Sequence, residues 1–280
     1  MEKKWFHTGG YDICYRVIPA RGGQIGRIFF IHGFISSSLY WEQLAGLFSG
    51  AGYLCAMLDL PGFGDSTREA RHVPPKHREE IAAQLMEKLA PGEFWIVAGH
   101  SMGGGVAVNL AVMYPEKVSS LLLYAPGSVA GGLGEDTLMR YLAEPAGVAL
   151  HILMAPLLYL KPLSRLLFAL GNADLQYARG YDIQRVMVPL KLPGTVRSLM
   201  YMVQRAKPTD YAASARLEIP ILVIWAEKEY VLLPRMVKNM KAGLRQAAAQ
   251  TMHGGHMFAE QYARETFERS MAFLGRSADE

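Results

Sequence analysis

The sequence predicts an α/β protein built on a mostly parallel β-sheet with helices on both faces. Short, continuous hydrophobic runs alternate along the chain with longer segments in which apolar residues recur at helical spacing. Strands that are apolar on both sides are typical of a sheet that is covered on both faces. The chain has 280 residues, of which 51% are hydrophobic, so it can bury a large core and a disordered chain is excluded.

The predicted elements follow one another in a regular order. Two short apolar runs on either side of a Gly9-Gly10 turn predict an antiparallel hairpin at one edge of the sheet. Continuous apolar runs then predict five buried strands, at residues 27–31, 53–58, 94–98, 118–124 and 221–225. Helical spacing predicts helices between and after them, at residues 40–48, 76–89, 102–114, 235–244 and 262–274.

This alternation of strands and helices is interrupted between about residue 127 and residue 218. The interrupting segment has a helical pattern, is punctuated by prolines and is rich in Leu, Met and Tyr. We expect residues 127–217 to form a helical cap, or lid, inserted over the carboxyl edge of the sheet, and residues 1–126 and 218–280 to form the core. The longest stretch without a charged residue, 145–160, contains prolines and is too short for a transmembrane segment.

The net charge of +4 is concentrated in the predicted cap. Residues 137–216 hold ten Lys and Arg against four Asp and Glu, which accounts for the whole basic excess. A solvated surface explains this bias, and attraction of an anionic substrate, a partner or a membrane face is the alternative. The sequence contains no zinc-finger spacing or other nucleic-acid motif, so we do not expect nucleic acid to be a partner. Its first residues contain no apolar signal core, so we expect a cytoplasmic protein.

The most specific motif is Gly99-His-Ser-Met-Gly103, which joins a predicted strand to a predicted helix. A sharp turn at this junction would expose Ser101, and small residues at 99 and 103 would prevent a collision between the strand and the helix. The helix that begins at Met102 directs its free amides and its positive dipole end toward the serine oxygen. We therefore predict that Ser101 is a nucleophile.

A serine nucleophile needs a base, and the base needs an acid that fixes its tautomer. Two histidines occur late in the chain, and His256, which follows two glycines and precedes the terminal helix, is the predicted base, with His253 as the alternative. Two glutamates occur in the loop after the fifth predicted strand. Glu229, 27 residues before His256, is favoured as the acid over Glu227.

Two backbone N–H groups are predicted to form an oxyanion hole. Met102 N–H directly follows the nucleophile, and Phe34 N–H lies in the loop after the first predicted strand of the parallel set, where Gly33 lets the backbone turn toward the serine. His32 is expected to be a structural hydrogen-bonding residue. This chemistry needs no metal or organic cofactor, and no cluster with metal-ligand spacing is visible in the sequence.

Four motifs together resemble the α/β-hydrolase superfamily: His32-Gly-Phe34, Asp59-Leu-Pro-Gly-Phe-Gly-Asp-Ser66, Gly99-His-Ser-Met-Gly-Gly104 and Gly255-His256. The resemblance implies an α/β-hydrolase fold with an eight-stranded sheet, the chain order Ser–acid–His and the two backbone donors. It also implies that the loop at residues 59–66 is mainly structural. Relatives usually have aspartate at the acid position, so Glu229 departs from the family pattern.

The expected activity is hydrolysis of a small-molecule carboxylic ester with an apolar acyl or aromatic part. Two enzyme classes in the superfamily remain open. Carbon–carbon hydrolases of meta-cleavage products resemble the chain in the serine motif but usually have tryptophan where this chain has Met257, and pimeloyl-carrier-protein methyl ester esterases use a basic cap to dock an acidic carrier. A non-enzymatic ligand-binding protein on the same fold is the third alternative. The sequence carries no signal for an oligomeric state.

Overall fold

One sheet of eight strands organises the part of the chain that the computed structural model describes, which is residues 1–68, 77–127, 160–195, 197–199, 202, 209–232 and 234–276. The strands lie in the order β1-β2-β4-β3-β5-β6-β7-β8. Strand β2 pairs antiparallel with β1 and β4, and all the other pairs are parallel. The prediction of a mostly parallel sheet with a hairpin at one edge is therefore confirmed. The strands are β1 (Lys4–Thr8), β2 (Tyr11–Ile18), β3 (Gly26–Ile31), β4 (Tyr53–Leu58), β5 (Trp95–His100), β6 (Val118–Tyr124), β7 (Ile221–Ala226) and β8 (Ala248–Met252).

Helices cover both faces of this sheet. Apolar residues of α2, α3 and α7 pack on one face, and those of α1, α8 and α9 pack on the other. Short 3-10 turns lie at Ser38–Trp41, Pro115–Lys117 and Tyr211–Arg216. The helices are α1 (Glu42–Gly50), α2 (Arg78–Leu89), α3 (Met102–Met113), α4 (Lys161–Asn172), α5 (Leu175–Gly180), α6 (Gln184–Lys191), α7 (Pro234–Gly243), α8 (Phe258–Gln261) and α9 (Ala263–Arg276).

Most predicted elements agree with the observed ones, and two differ. The sequence did not predict β8, because this edge strand is largely exposed and its residues, Ala-Ala-Gln-Thr-Met, form no continuous apolar run. A second, separate helix, α8, precedes the predicted terminal helix α9. Helix α2 begins at Arg78, and its predicted start at residue 76 lies outside the described residues.

Helices α4, α5 and α6 lie in the segment that was predicted to form the cap, of which residues 128–159 are outside the described residues. Arg68 of the core links this segment to the loop after β4, since it donates to Pro189 O at 3.2 Å and to Thr195 Oγ1 at 2.7 Å. The helical character agrees with the prediction, and the boundaries at 127 and 217 stay a prediction. In the described part of the chain, no helix has the length and apolarity that crossing a bilayer requires.

A buried carboxylate, Glu260 of α8, joins the core to α5 and α6. Arg185 Nη1 donates to Glu260 Oε1 at 3.2 Å, Tyr177 OH donates to Oε2 at 3.4 Å, and Arg185 also pairs with Glu42. Burial raises the pKa of Glu260 to about 7, and Glu42 adds to this effect, although Arg185, Tyr181 and Tyr177 favour the charged form. This carboxylate therefore titrates near neutral pH.

We predict that Glu260 makes the folded protein less stable as the pH rises from about 5 to about 7. A glutamate in the unfolded chain has a pKa of about 4.3, so in this interval the folded state binds the proton more tightly and the unfolded state is favoured as protons are lost. Glu260→Gln removes this dependence, which amounts to on the order of 3 kcal/mol in the free energy of unfolding.

Urea unfolding of both proteins at a series of pH values measures this difference. The free energy of unfolding of Glu260→Gln, relative to the unsubstituted protein, should rise across the interval. The exposed Glu93 provides the control variant Glu93→Gln, which should keep the original slope. Parallel pH profiles for Glu260→Gln and the unsubstituted protein would contradict the prediction.

Candidate active site

Ser101 occupies the sharp turn between β5 and α3, as its motif predicted. Its backbone has φ 51° and ψ −125°, a conformation that non-glycine residues rarely adopt. Three backbone hydrogen bonds hold it there: Ser101 N donates to Tyr124 O at 3.1 Å, and Ser101 O accepts from Gly104 N at 2.8 Å and from Gly127 N at 2.7 Å. The strain is therefore maintained by the ends of two neighbouring strands and by the first turn of α3.

Glycines make this turn possible because the strand and the helix meet at very short range. A Cβ atom at Gly99 would lie 2.4 Å from Gly103 O, and one at Gly103 would lie 2.2 Å from Ile31 O. Real Cβ atoms do not approach backbone oxygens so closely. The prediction that positions 99 and 103 need small residues is confirmed.

The imidazole of His256 lies against the carboxylate of Glu229. His256 Nδ1 donates to Glu229 Oε2 at 2.8 Å, and the two side chains are 7% and 10% exposed. Glu229 Oε1 in turn accepts from Val231 N and Leu232 N, each at 2.9 Å, so the carboxylate is fixed on both of its oxygens. With the proton on Nδ1, Nε2 of His256 is the acceptor, which is the tautomer that a general base requires.

The two alternative residues lie elsewhere. Glu227 is exposed, and its backbone N–H donates to Met252 O. The side chain of His253 is half exposed and lies 3.5 Å from a carboxylate oxygen of Glu265. Of the two candidate acids and the two candidate bases, the structure therefore brings together Glu229 and His256.

His100, the residue that precedes Ser101, lies against His256. The rings of His100 and His256 are 4.8 Å apart, and His100 Nε2 lies 2.8 Å from His256 O. Among the hydrogen bonds of the described residues, none joins Ser101 Oγ to the His256 ring. Such catalytic hydrogen bonds are often long without substrate and tighten when it binds.

The loop that carries Phe34 runs beside the serine. A Cβ atom at Gly33 would lie 3.0 Å from Ser101 Cβ, which is closer than most Cβ atoms approach a neighbour, so glycine favours this close passage of the backbone. Met102 is the first residue of α3, and in the described part of the chain neither its N–H nor that of Phe34 donates to another protein group. The role of these two amides in binding an oxyanion stays a prediction.

His32 and the loop at residues 59–66 have structural roles, as expected. His32 is fully buried, donates from Nδ1 to Gly33 O at 2.8 Å and accepts at Nε2 from Leu60 N at 3.0 Å. Burial lowers the pKa of His32, so its ring stays neutral. Asp59 accepts from Ser38 N at 2.7 Å and Asp65 N at 2.9 Å, which fixes the loop after β4.

One group of potential metal ligands occurs among the described residues, formed by Cys14, Asp59 and Asp65. The guanidinium of Arg16 lies 3.6 Å from Asp59 and 3.5 Å from Asp65. The buried arginine supplies the positive charge that these carboxylates need. We therefore interpret the group as a structural ion pair.

Two buried polar residues at this site were not predicted from the sequence. His100 contacts the backbone of His256, and Asn172 of α4 accepts from Met257 N at 2.9 Å. A histidine in the apolar context of β5 was a signal that could have identified His100. Asn172 had no such signal, since 85 residues separate it from its partner.

Comparison with known proteins agrees with this fold. The profile of the alpha/beta hydrolase family matches residues 28–269, and the chain belongs to this family. An esterase of Mycobacterium tuberculosis is 36% identical over 103 residues, which are 36% of this chain and 33% of that protein. A pimeloyl-[acyl-carrier protein] methyl ester esterase of Hamiltonella defensa is 34% identical over 92 residues, 33% of each protein. The match thus spans a third of the length of each relative.

A solved structure extends the similarity over nearly the whole chain. Cfl2 from Burkholderia cenocepacia superposes with a TM-score of 0.77 at 18% identity, covering 97% of this chain and 95% of that one. At this identity the likeness shows the shared fold alone.

We predict that Gly103→Ala disrupts the turn at Ser101. The added methyl group would collide with Ile31 O, which should lower the free energy of unfolding by about 1–3 kcal/mol or more. The matched control is Gly46→Ala in α1, where a Cβ atom meets nothing within 4 Å. This control should be neutral or stabilising by up to about 1 kcal/mol, because alanine favours a helix. Thermal unfolding measures both, and a Gly103→Ala protein as stable as the control would contradict the steric interpretation.

Proposed function

We propose that this protein is a serine hydrolase that cleaves carboxylic esters, with Ser101 as nucleophile, His256 as base and Glu229 as acid. The observation that carries the proposal is the 2.8 Å contact between His256 Nδ1 and Glu229 Oε2, next to a serine held in a strained turn. Ser101 itself is 8% exposed, so the serine and the imidazole are both largely shielded from solvent, whereas the sequence predicted an exposed serine. A buried imidazole that is oriented by a carboxylate and can reach a serine hydroxyl is suited to nucleophilic catalysis.

In this mechanism Ser101 Oγ attacks the ester carbonyl carbon while His256 Nε2 accepts the serine proton. The carboxylate of Glu229 stabilises the imidazolium, which then gives the proton to the leaving alcohol. Water, activated by His256, hydrolyses the acyl-enzyme through a second tetrahedral intermediate. The N–H groups of Phe34 and Met102 would donate to the oxyanion in both steps, each worth about 3 kcal/mol of barrier.

The local geometry supports glutamate at the acid position. The extra methylene of Glu229 lets the carboxylate bend back, so that Oε1 meets the amides of Val231 and Leu232 while Oε2 reaches His256. A carboxylate fixed in this way needs no further rearrangement to orient the imidazole. The departure from aspartate is therefore compatible with the proposed role.

For the substrate we propose an ester with an apolar acyl or aromatic part. Support comes from the Leu, Met and Tyr content of the predicted cap at residues 127–217 and from the relative that is named an esterase. A carrier-bound acyl methyl ester is the second candidate. It is favoured by the basic excess of residues 137–216 and by the relative named as a carrier-protein methyl ester esterase.

We expect Ser101→Ala to lower kcat for p-nitrophenyl esters by on the order of 10⁴-fold or more.

Glu229→Gln should lower kcat by about 10³- to 10⁴-fold, because an amide neither fixes the tautomer nor stabilises the imidazolium. The matched control Glu227→Gln, two residues away on the exposed surface, should stay within about twofold of the unsubstituted protein.

Steady-state kinetics on p-nitrophenyl esters of graded chain length, with a carrier-bound acyl methyl ester alongside, provide the measurement. Activity that survives in Ser101→Ala would remove the nucleophile assignment. A larger loss in Glu227→Gln than in Glu229→Gln would reverse the choice of acid.

A further inference from the structure

The peptide group between His256 and Met257 is held from both sides by buried side chains. Its carbonyl oxygen accepts from His100 Nε2 at 2.8 Å, and its N–H donates to Asn172 Oδ1 at 2.9 Å. His100 ends β5 directly before Ser101, whereas Asn172 ends α4 in the predicted cap. His100 is 2% and Asn172 is 3% exposed. Two distant parts of the chain thus meet on one peptide plane.

Aromatic neighbours and one hydrogen bond hold the ring of His100. It stacks on Tyr40 with ring centroids 4.5 Å apart and planes 22° apart, and Trp41 packs edge-on against it at 6.4 Å. Since Nε2 faces a carbonyl oxygen, it must carry the proton. Burial lowers the pKa of His100 well below its usual value, so the ring is a neutral donor.

Hydrogen bonds at both atoms of its amide group fix the side chain of Asn172. Its Nδ2 donates to Phe168 O at 2.7 Å within α4, which leaves Oδ1 to face Met257 N. The backbone is also in close contact, because a Cβ atom at Gly255 would lie 2.1 Å from Asn172 O. The end of α4 therefore lies directly on the loop that carries His256.

That loop needs such support. It contains Gly254, with φ 96°, and Gly255 immediately before the histidine, and glycines allow a loop many alternative conformations. The Glu229 carboxylate fixes the imidazole at Nδ1 but not the backbone from which the ring projects. A displacement of about 1 Å at a catalytic group costs on the order of 100-fold in rate.

We propose that His100 and Asn172 are positioning residues, which hold the His256–Met257 peptide plane and so direct His256 Nε2 toward Ser101. The proposal rests on the proposed hydrolase function. It gives α4 of the predicted cap a share in positioning the base, in addition to any role in enclosing the substrate.

The test compares leucine variants with variants that restore the hydrogen bond. His100→Leu and Asn172→Leu should each lower kcat for a p-nitrophenyl ester by about 10- to 100-fold and leave KM within about threefold, because the substrate contacts are unchanged. The double variant should lose less than the product of the two single losses, since both act on one peptide group.

Conservative replacements separate positioning from general packing and remain informative where a leucine variant does not fold. His100→Gln can present an amide N–H near the position of Nε2 and should recover most of kcat, whereas the shorter His100→Asn should not. Asn109→Leu, at a partly buried asparagine of α3 that bonds Glu79, is the matched control and should leave kcat unchanged.

Amide hydrogen exchange gives a readout that does not depend on turnover. Asn172→Leu should speed exchange at the Met257 amide by at least about tenfold, and Asn109→Leu should not. Suppose that the unsubstituted protein shows Ser101-dependent hydrolysis. Unchanged exchange at the Met257 amide in Asn172→Leu, or an unchanged kcat in the leucine variants, would then overturn the positioning roles alone. Absence of Ser101-dependent hydrolysis in the unsubstituted protein would instead overturn the proposed function and, with it, the catalytic part of this inference.

Discussion

The strained backbone of Ser101 is the constraint on which the rest of the site depends. A non-glycine residue at φ 51° costs on the order of 1–3 kcal/mol, and it persists only where the surrounding structure fixes it. Here the carbonyl of Tyr124 and the amides of Gly104 and Gly127 form hydrogen bonds with the Ser101 backbone. The close packing of β5 against α3 also restricts the backbone conformation of the turn. The same packing lifts the serine above the carboxyl edge of the sheet, where the ends of the other strands meet.

Strand order explains how residues far apart in sequence reach this edge. Strands β3 and β6 flank β5, so the loop with Phe34 and the segment at Gly127 both lie beside the serine. Strands β7 and β8 follow in turn, and the loops after them deliver Glu229 and His256 from the same side. Parallel strands direct their carboxyl ends to one edge, which is why the segments after four other strands can converge on the turn at Ser101.

The loop that carries His256 shows how the core and the predicted cap are joined. Its backbone contacts His100 below and Asn172 above, and four residues later Glu260 pairs with Arg185 of α6. Polar contacts of this kind are buried and paired, so separating α4 and α6 from the loop would expose several unsatisfied groups at once. This part of the predicted cap is therefore firmly seated on the core.

Local patterns predicted the turn at Ser101 and the core strands, because hydrophobic runs and small residues at a turn act over short distances. Glu229 could be chosen over Glu227 only by spacing, and the structure places it against His256. Strand β8 escaped prediction because an exposed edge strand needs no apolar run. The roles inferred for His100 and Asn172 depend on contacts across 156 and 85 residues, and no local pattern encodes such distances.

The most direct test of nucleophilic reactivity at the strained turn is covalent labelling with a fluorophosphonate, followed by peptide mass spectrometry. An activated serine should take up one phosphonyl group per chain, on the peptide that contains Ser101, and Ser101→Ala should take up none. Modification at another residue, or equal labelling of the Ser101→Ala protein, would contradict a catalytic site built around this residue.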